Sequence, residues 1–259
     1  MGKKKKKKQS HLVSNIVLTI SIAVFIVAAF QLFRIGKGYQ DGRKDYKEIQ
    51  ELAVEKKKDK KSGEDQFVVD FQKLTDKNPD VIGWIRFDPE PSVINYPIVQ
   101  GKDNEEYLHK TFTKNENGLG AIFLNVDNSS NFADKHSVIY GHRMKDGSMF
   151  RHLQDYEKKS FWKKNPHFYI YTPNGRVITY RVYSAGEVLE TSDIYKTDFM
   201  DGKAYEGFID QTRKDSIYET GVKVRTADKV VTLSTCTRSS DNHRFVVHGV
   251  KEKEEVIEE

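Results

Sequence analysis

The chain carries a single cysteine, Cys236, at the end of the apolar run "VVTLSTC", and eight residues later Arg244 opens a second run, "RFVVHGV". A lone thiol makes no intramolecular disulfide, and a cysteine-based tetrahedral zinc site needs more than one. Cys236 is therefore a small buried hydrophobe, a reactive thiol or an intermolecular link, and free cysteines as a class favour burial. Strand alternation puts Val231, Leu233 and Thr235 on one face and Val230, Thr232, Ser234 and Cys236 on the other. The larger apolar pair suits the core, so the thiol falls beside a serine and a threonine at the lip of a strand. If the two runs pair as a hairpin, Cys236 and Arg244 become neighbours. A guanidinium there favours the thiolate and can donate to an oxyanion formed on an attacked carbonyl. An exposed loop arginine paired with Asp241 fits the same spacing equally well.

A cysteine nucleophile also needs a proton-transfer partner, usually histidine. Of the eight histidines, His11 lies in the N-terminal segment, and His109, His136, His152 and His167 sit in polar or helical surroundings that read as surface. His243 lies in the loop beside Arg244 with little to fix it, and His248 is mid-strand, where a structural role is the plainer reading. His142 differs: it ends the run "SVIYG" and opens "RMKDGSM", with Gly141 allowing close backbone approach. Two strand ends, one bearing Cys and one bearing His, are how the lip of a barrel assembles a site.

The elements that must carry these residues are short. From Gln66 the runs "PDVIGWIRF", "INYPIVQ", "GLGAIFLNV", "SVIYGH", "HFYIYT", "VITYRVYSAGEVL", "VVTLSTC" and "RFVVHGV" read as strands broken by turn residues. About eight such strands predict a closed, mostly β barrel. "FVVDFQKL" reads as a short amphipathic helix before the first strand and "SMFRHLQDY" as another after His142. "DGKAYEGFIDQTRKDSIY" predicts a helix inserted before the last strand pair, with Tyr205, Phe208 and Ile209 on one face. "NVDNSSNFAD" faintly resembles a calcium loop but lacks the ordered ligand spacing of an EF-hand, so a polar connection is expected and no metal.

The formal net charge of +5 is concentrated in runs: residues 3–8 are all lysine and residues 56–61 hold five more. Basic tails without interleaved aromatics do not make a nucleic-acid-binding face. Residues 12–33 form an uncharged, largely apolar run, which at about 1.5 Å per residue spans a hydrocarbon core of about 30 Å. With lysines before it, the positive-inside rule leaves the N-terminus in the cytoplasm. A cleaved signal peptide ending near residues 27–29 is the competing reading. The run continues through Phe33, however, and exceeds an ordinary signal core. Either reading puts the remainder outside the cytoplasm. The expected organisation is a basic tail (1–11), a transmembrane anchor (12–33), a charged stalk or linker helix (34–65), one β-rich domain (66–250) and a frayed charged tail (251–259).

At this point the residues resemble a known family. "TLSTC" with an arginine eight residues on is similar to the signature of the sortases, membrane-anchored cysteine transpeptidases of Gram-positive bacteria. "VIYGHRMKDGSMF", "NPDVIGWI", "INYPIVQGKDNEEYL", "GLGAIFLN" and the inserted helix resemble class B. The resemblance covers roughly residues 67–250. It implies a sortase-type barrel in which Cys236 is nucleophile, His142 general acid/base and Arg244 the oxyanion or substrate-carbonyl donor. Asn104, Leu108, Tyr140, Ser234, Ile194 and Tyr195 are implied in substrate binding. The implied partners are secreted proteins with a C-terminal sorting motif, a peptidoglycan precursor amine and the cell membrane, with no cofactor. Arg143 and Asn125 depart from the residues common at those positions, asparagine and aspartate. A cysteine hydrolase using water as second nucleophile shares the chemistry up to the thioester. A pilin-polymerising sortase would carry a lid segment before the barrel, which is not found. An idle binding domain would not need Cys236, His142 and Arg244 together at strand ends.

Overall fold

The computed structural model describes residues 3–58, 65–237 and 240–257. Two compact units result, residues 1–41 and 42–259. In the first, helix α1 (Lys3–Ala53) begins and exposes the apolar side chains from Leu12 to Phe33. That stretch is long and apolar enough to cross a membrane by length and composition. The side chains of residues 3–11 lie outside the described set.

The second unit is built on a closed barrel of eight strands: β3 (Val81–Phe87), β4 (Asn95–Val99), β5 (Ile122–Leu124), β6 (His136–Tyr140), β7 (His167–Tyr171), β8 (Arg176–Leu189), β9 (Val230–Cys236) and β10 (His243–Val256). Their order around the barrel is β10-β8-β7-β3-β4-β5-β6-β9. Each corresponds to one of the eight apolar runs, and closure removes any sheet edge. Two neighbouring pairs, β4–β5 and β6–β9, are parallel. Parallel partners end on the same rim, so β6 and β9 deliver their C-terminal residues together.

Helix α4 (Gly202–Lys214) is the inserted helix, capped by the Asp201 side chain accepting from the Ala204 amide at 2.8 Å. Tyr205, Phe208 and Ile209 pack with Val230, Val246 and Val250. This roof explains why β9 is buried on both faces up to Thr235 rather than alternating. The segment "SMFRHLQDY" forms a 3-10 helix (Phe150–Glu157), followed directly by the short helix α3 (Lys159–Lys164).

Four expectations need correction. The segment "FVVDFQKL" is not one helix: Asp65–Val69 is strand β2, paired antiparallel with β1 (Val54–Lys58), and helix α2 (Phe71–Lys77) begins only after its cap Asp70. The end of the expected stalk is not solvated. Tyr46, Ile49 and Ala53 are buried, the Tyr46 hydroxyl donates to the Gly120 carbonyl at 2.7 Å, and Gln50 donates to the Asn95 carbonyl. The compact unit therefore starts near Gly42, not Gln66. The expected tail continues β10 to Val256, pairing with β8, with Arg176 on Glu254 at 2.7 Å and Arg181 on Glu252 at 3.3 Å. Finally, His136 is fully buried. Of the lysine run at residues 56–61, the last three positions lie outside the described residues, as do Arg238 and Ser239.

Candidate active site

Cys236 is the last residue of β9 and is exposed, whereas the six residues before it are buried. That removes the buried-hydrophobe reading. Directly opposite on β10 stands Arg244, its cross-strand partner, and such pairs put Cβ atoms about 4.5–5.5 Å apart on one face. The hairpin geometry expected from the spacing is therefore present.

On the other side of β9, Tyr140 of β6 is in register with Ser234, and the Gly141 amide donates to the Ser234 carbonyl at 3.1 Å. His142 and Cys236 each lie two residues beyond this pair, at the same ends of adjacent parallel strands. Gly141 is required there: a Cβ would lie 2.5 Å from Ile122 Cδ1 and 2.7 Å from Phe150 Cδ2. After His142 the chain doubles back through an Arg143–Met149 bridge, and the Phe150 amide donates to the His142 carbonyl at 3.0 Å. Met149 is buried at φ 56°, unusual for a side-chain-bearing residue. Its amide donates to the Tyr96 hydroxyl at 3.2 Å, which holds that backbone.

The His142 ring is oriented by the Leu108 carbonyl, 2.7 Å from Nε2. A carbonyl only accepts, so Nε2 carries the proton and, in the neutral ring, Nδ1 is left with its lone pair. Gly120, at φ +61°, backs the ring, since a Cβ there would meet His142 Cδ2 at 2.8 Å. The family resemblance implies Leu108 in substrate contact, whereas the orienting role of its main chain leaves no mark in the sequence. The "GLG" run was the available signal for Gly120.

Arg244 is held by its own turn. Nη1 donates to the carbonyls of Asp241 at 2.6 Å and His243 at 3.0 Å, and Nη2 donates to Glu190 Oε2 at 2.5 Å. The anticipated Asp241 contact exists through its backbone, while the carboxylate partner is Glu190, from the chain just past β8. Sequence spacing gave no hint of Glu190, because it is brought in by the pairing of β8 with β10. The guanidinium keeps Nε–H and one Nη2–H for another acceptor.

A polar wall runs from these residues across the barrel. Asn104 accepts from the Val126 amide at 2.9 Å and donates to Asn125 Oδ1 at 3.4 Å; Asn125 donates to the Tyr140 hydroxyl at 3.2 Å. The rings of Tyr140 and Tyr195 stack with centroids 6.2 Å apart, and the hydroxyl of Tyr195 meets Ser234 Oγ at 2.9 Å. Burial raises the Tyr195 hydroxyl well above the ordinary phenol range despite the Ser234 hydrogen bond, and Tyr140, Arg244 and Cys236 all act on it electrostatically. Burial raises the Tyr140 hydroxyl in the same direction, so both tyrosines are neutral hydrogen-bonding groups on the strand-end side of Ser234. Ile194 differs from its neighbour: it is 1% exposed and packs into the core under α4. The departing Arg143 donates from Nε to Gln154 at 2.7 Å. A separate open depression of about 410 Å³, lined by Arg43, Tyr46, Asp146 and Met149 among others, touches none of the nine site residues.

The fold is shared with known proteins. A sortase-domain family model matches residues 89–252. Sortase B of Listeria monocytogenes is 37% identical over 187 residues, 70% of this chain and 72% of that protein. The Staphylococcus aureus sortase B–substrate complex superposes with a TM-score of 0.65 at 32% identity, covering 71% of this chain and 84% of that one. The crystal structure of sortase B from B. anthracis gives 0.72 at 30% identity, covering 85% of this chain and 100% of that one. A closed eight-stranded barrel with a lone exposed thiol on its rim and a helix before its last strands, matched along most of its length by sortase B proteins, belongs to the sortase family and within it to class B, the cysteine transpeptidases of cell-wall sorting.

Proposed function

We propose that the chain cleaves a C-terminal sorting motif of secreted proteins after threonine and transfers the acyl group to a peptidoglycan precursor amine. Cys236 Sγ bonds to the threonine carbonyl carbon while Arg244 donates to the oxyanion. The C–N bond then breaks, and His142 delivers a proton to the leaving glycine amine, leaving a thioester. The wall amine attacks that thioester, gives up a proton to His142, and the C–S bond breaks to restore the thiolate. The observation that carries this reading is the convergence of three strand ends: Cys236 opposite Arg244, with His142 at the matching end of the parallel neighbour. The wall from Asn104 through Tyr140 and Tyr195 to Ser234 supplies hydrogen-bonding groups alongside, as an extended peptide requires. Of the two residues implied before the inserted helix, Tyr195 is the one suited to touch substrate.

In the same proposal, residues 12–33 span the membrane, residues 1–11 stay in the cytoplasm and the barrel works on the outer face. Anchoring confines enzyme, exported protein and lipid-linked amine to one surface, raising their effective concentration. The test is product analysis of a sorting-motif peptide with the full chain in detergent, with and without an amine nucleophile. Cleavage and amine-dependent ligation are expected, and both vanish in Cys236→Ala. Turnover by Cys236→Ala overturns the nucleophile assignment. A free acid as sole product at every amine concentration overturns transfer in favour of hydrolysis.

A further inference from the structure

Behind the groove, on the roofed face of β9, lies a buried chain of polar groups that the reaction does not use. His136 Nδ1 is 2.7 Å from the Lys196 carbonyl, and its Nε2 is 2.6 Å from Thr232 Oγ1. The same Thr232 oxygen is 2.8 Å from His248 Nδ1. All three side chains are at most 1% exposed, and His248 Nε2 has no partner.

One fixed acceptor sets every proton in this chain. The Lys196 carbonyl only accepts, so His136 Nδ1 carries hydrogen and Nε2 is a bare acceptor. The single Thr232 hydroxyl proton must then go to His136 Nε2. Its oxygen accepts in turn from His248 Nδ1–H, which leaves His248 Nε2 as the unpartnered lone pair. Each donor thus points toward Lys196, and the hydroxyl has no second role to adopt while both rings are neutral. A buried network with one proton order holds its members in one arrangement. The ring of His136 is further clamped by Phe208 of α4, with centroids 4.4 Å apart.

The Lys196 end of this chain adjoins the site. Lys196 immediately follows the 3-10 turn Asp193–Tyr195, and Tyr195 is the residue that reaches Ser234 beside Cys236. We propose that His136 is a positioning residue for substrate binding: fixed by Thr232 and His248, it holds the Lys196 carbonyl and so sets the turn that carries Tyr195 into the groove. This rests on the reading of Cys236 as nucleophile and Tyr195 as groove wall.

Asn and Gln at position 136 separate this role from plain packing. An Asn amide lies near the place of Nδ1 and keeps a donor for Lys196; a Gln amide lies near Nε2 and keeps only the Thr232 end. With the full chain in detergent and a sorting-motif peptide, His136→Gln is expected to raise KM about fivefold to tenfold with kcat within about twofold, while His136→Asn stays within about twofold in KM. In a Tyr195→Phe background, His136→Gln should add little further rise in KM, because both changes act on one contact. An unchanged KM in folded His136→Gln, equal effects of Asn and Gln, or additivity with Tyr195→Phe overturns the proposal. Should His136→Gln fail to fold by thermal melting, Thr232→Val makes the same test: it removes the hydroxyl that orients His136, with an expected rise of about threefold in KM, and an unchanged KM overturns the proposal. The underlying reading fails separately: turnover by Cys236→Ala removes the nucleophile, and an unaltered KM in Tyr195→Phe alone removes the wall.

Discussion

Arg244 owes its position to three acceptors that are not substrate: two carbonyls of its own turn and the Glu190 carboxylate. A planar guanidinium satisfies these while presenting Nε–H and an Nη2–H elsewhere; an ammonium on a flexible stem cannot do both. Arg244→Lys is therefore expected to lower kcat/KM for a sorting-motif peptide by about 10²-fold, the scale of losing one oxyanion donor. The Glu190 pair is partly exposed, with side chains 26% and 44% accessible, so its own contribution is screened. Glu190→Gln keeps an acceptor and should cost about fivefold or less, in kcat rather than KM. Steady-state kinetics of the two variants checks the ranking; a larger loss in Glu190→Gln than in Arg244→Lys would reverse the roles assigned to the two contacts. At this scale the sequence singles out the three residues proposed for the chemistry, Cys236, His142 and Arg244, because each closes or opens an apolar run. It did not reveal what orients them. Leu108 acts through its carbonyl and Glu190 through a strand pairing that joins residues 54 apart in the chain, and neither leaves a trace in local spacing.

The barrel strands were legible as elements because each is an apolar run bounded by turn residues, and that pattern needs no tertiary knowledge. The pieces added to the barrel were not. The "KEKEEV" end of β10 is charged, so it reads as a tail; it is a strand because Arg176 and Arg181 of β8 offer Glu254 and Glu252 opposite charges across the ladder. Residues 42–53 carry a sparse apolar stripe in a field of Lys and Glu, which suits a solvated helix until a barrel is there to receive Tyr46, Ile49 and Ala53. The consequence is a boundary prediction. Tyr46 donates to the Gly120 carbonyl and accepts from the Phe112 amide at 3.2 Å, all buried. Removing the helix takes away both partners together with the packing of Tyr46, Ile49 and Ala53, whereas Tyr46→Phe leaves the two backbone groups buried and unpaired, each at a cost of about 1–3 kcal/mol. A fragment beginning at Gly42 is expected to melt well above one beginning at Gln66, and Tyr46→Phe should lower the melting temperature of the longer fragment part of the way toward that of the shorter. Because Gly120 backs His142, the shorter fragment should also turn over more slowly. Calorimetry and peptide cleavage on the two fragments decide this; equal melting temperatures would mean that the helix only rests on the barrel.

For the molecule as a whole, the buried histidine pair sets a limit on acid tolerance. Burial holds His136 down to about 4 and His248 to about 3, the latter helped by its proximity to His136; the Asp134 carboxylate and the Lys196 hydrogen bond pull His136 only partly back. In the unfolded chain both titrate near 6.5. Between those values the unfolded state binds more protons than the folded one, so stability rises with pH through the window. It is fully present above about pH 6.5 and is lost progressively as the pH falls, down to about 4 for His136 and about 3 for His248. Carboxylates add a separate, lower window: Asp146 and Asp80 are held below the usual range mainly by hydrogen bonds from Ser148 and Lys114 against the opposing effect of burial, and their stabilisation is lost only as the pH falls through still more acid values. At pH 5 the histidines alone should remove on the order of 4 kcal/mol. For a domain of this size that lowers the melting temperature by on the order of 10 °C relative to pH 7. Replacing His248 by Asn deletes one titrating group and should lower stability at pH 7 while flattening the dependence between pH 7 and pH 5 by about half. Melting temperatures of the parent and His248→Asn across that range test it. A parent profile that is level from pH 7 to pH 5 would mean that the folded state accepts these protons, and the proton order inferred for His136, Thr232 and His248 would then be wrong as well.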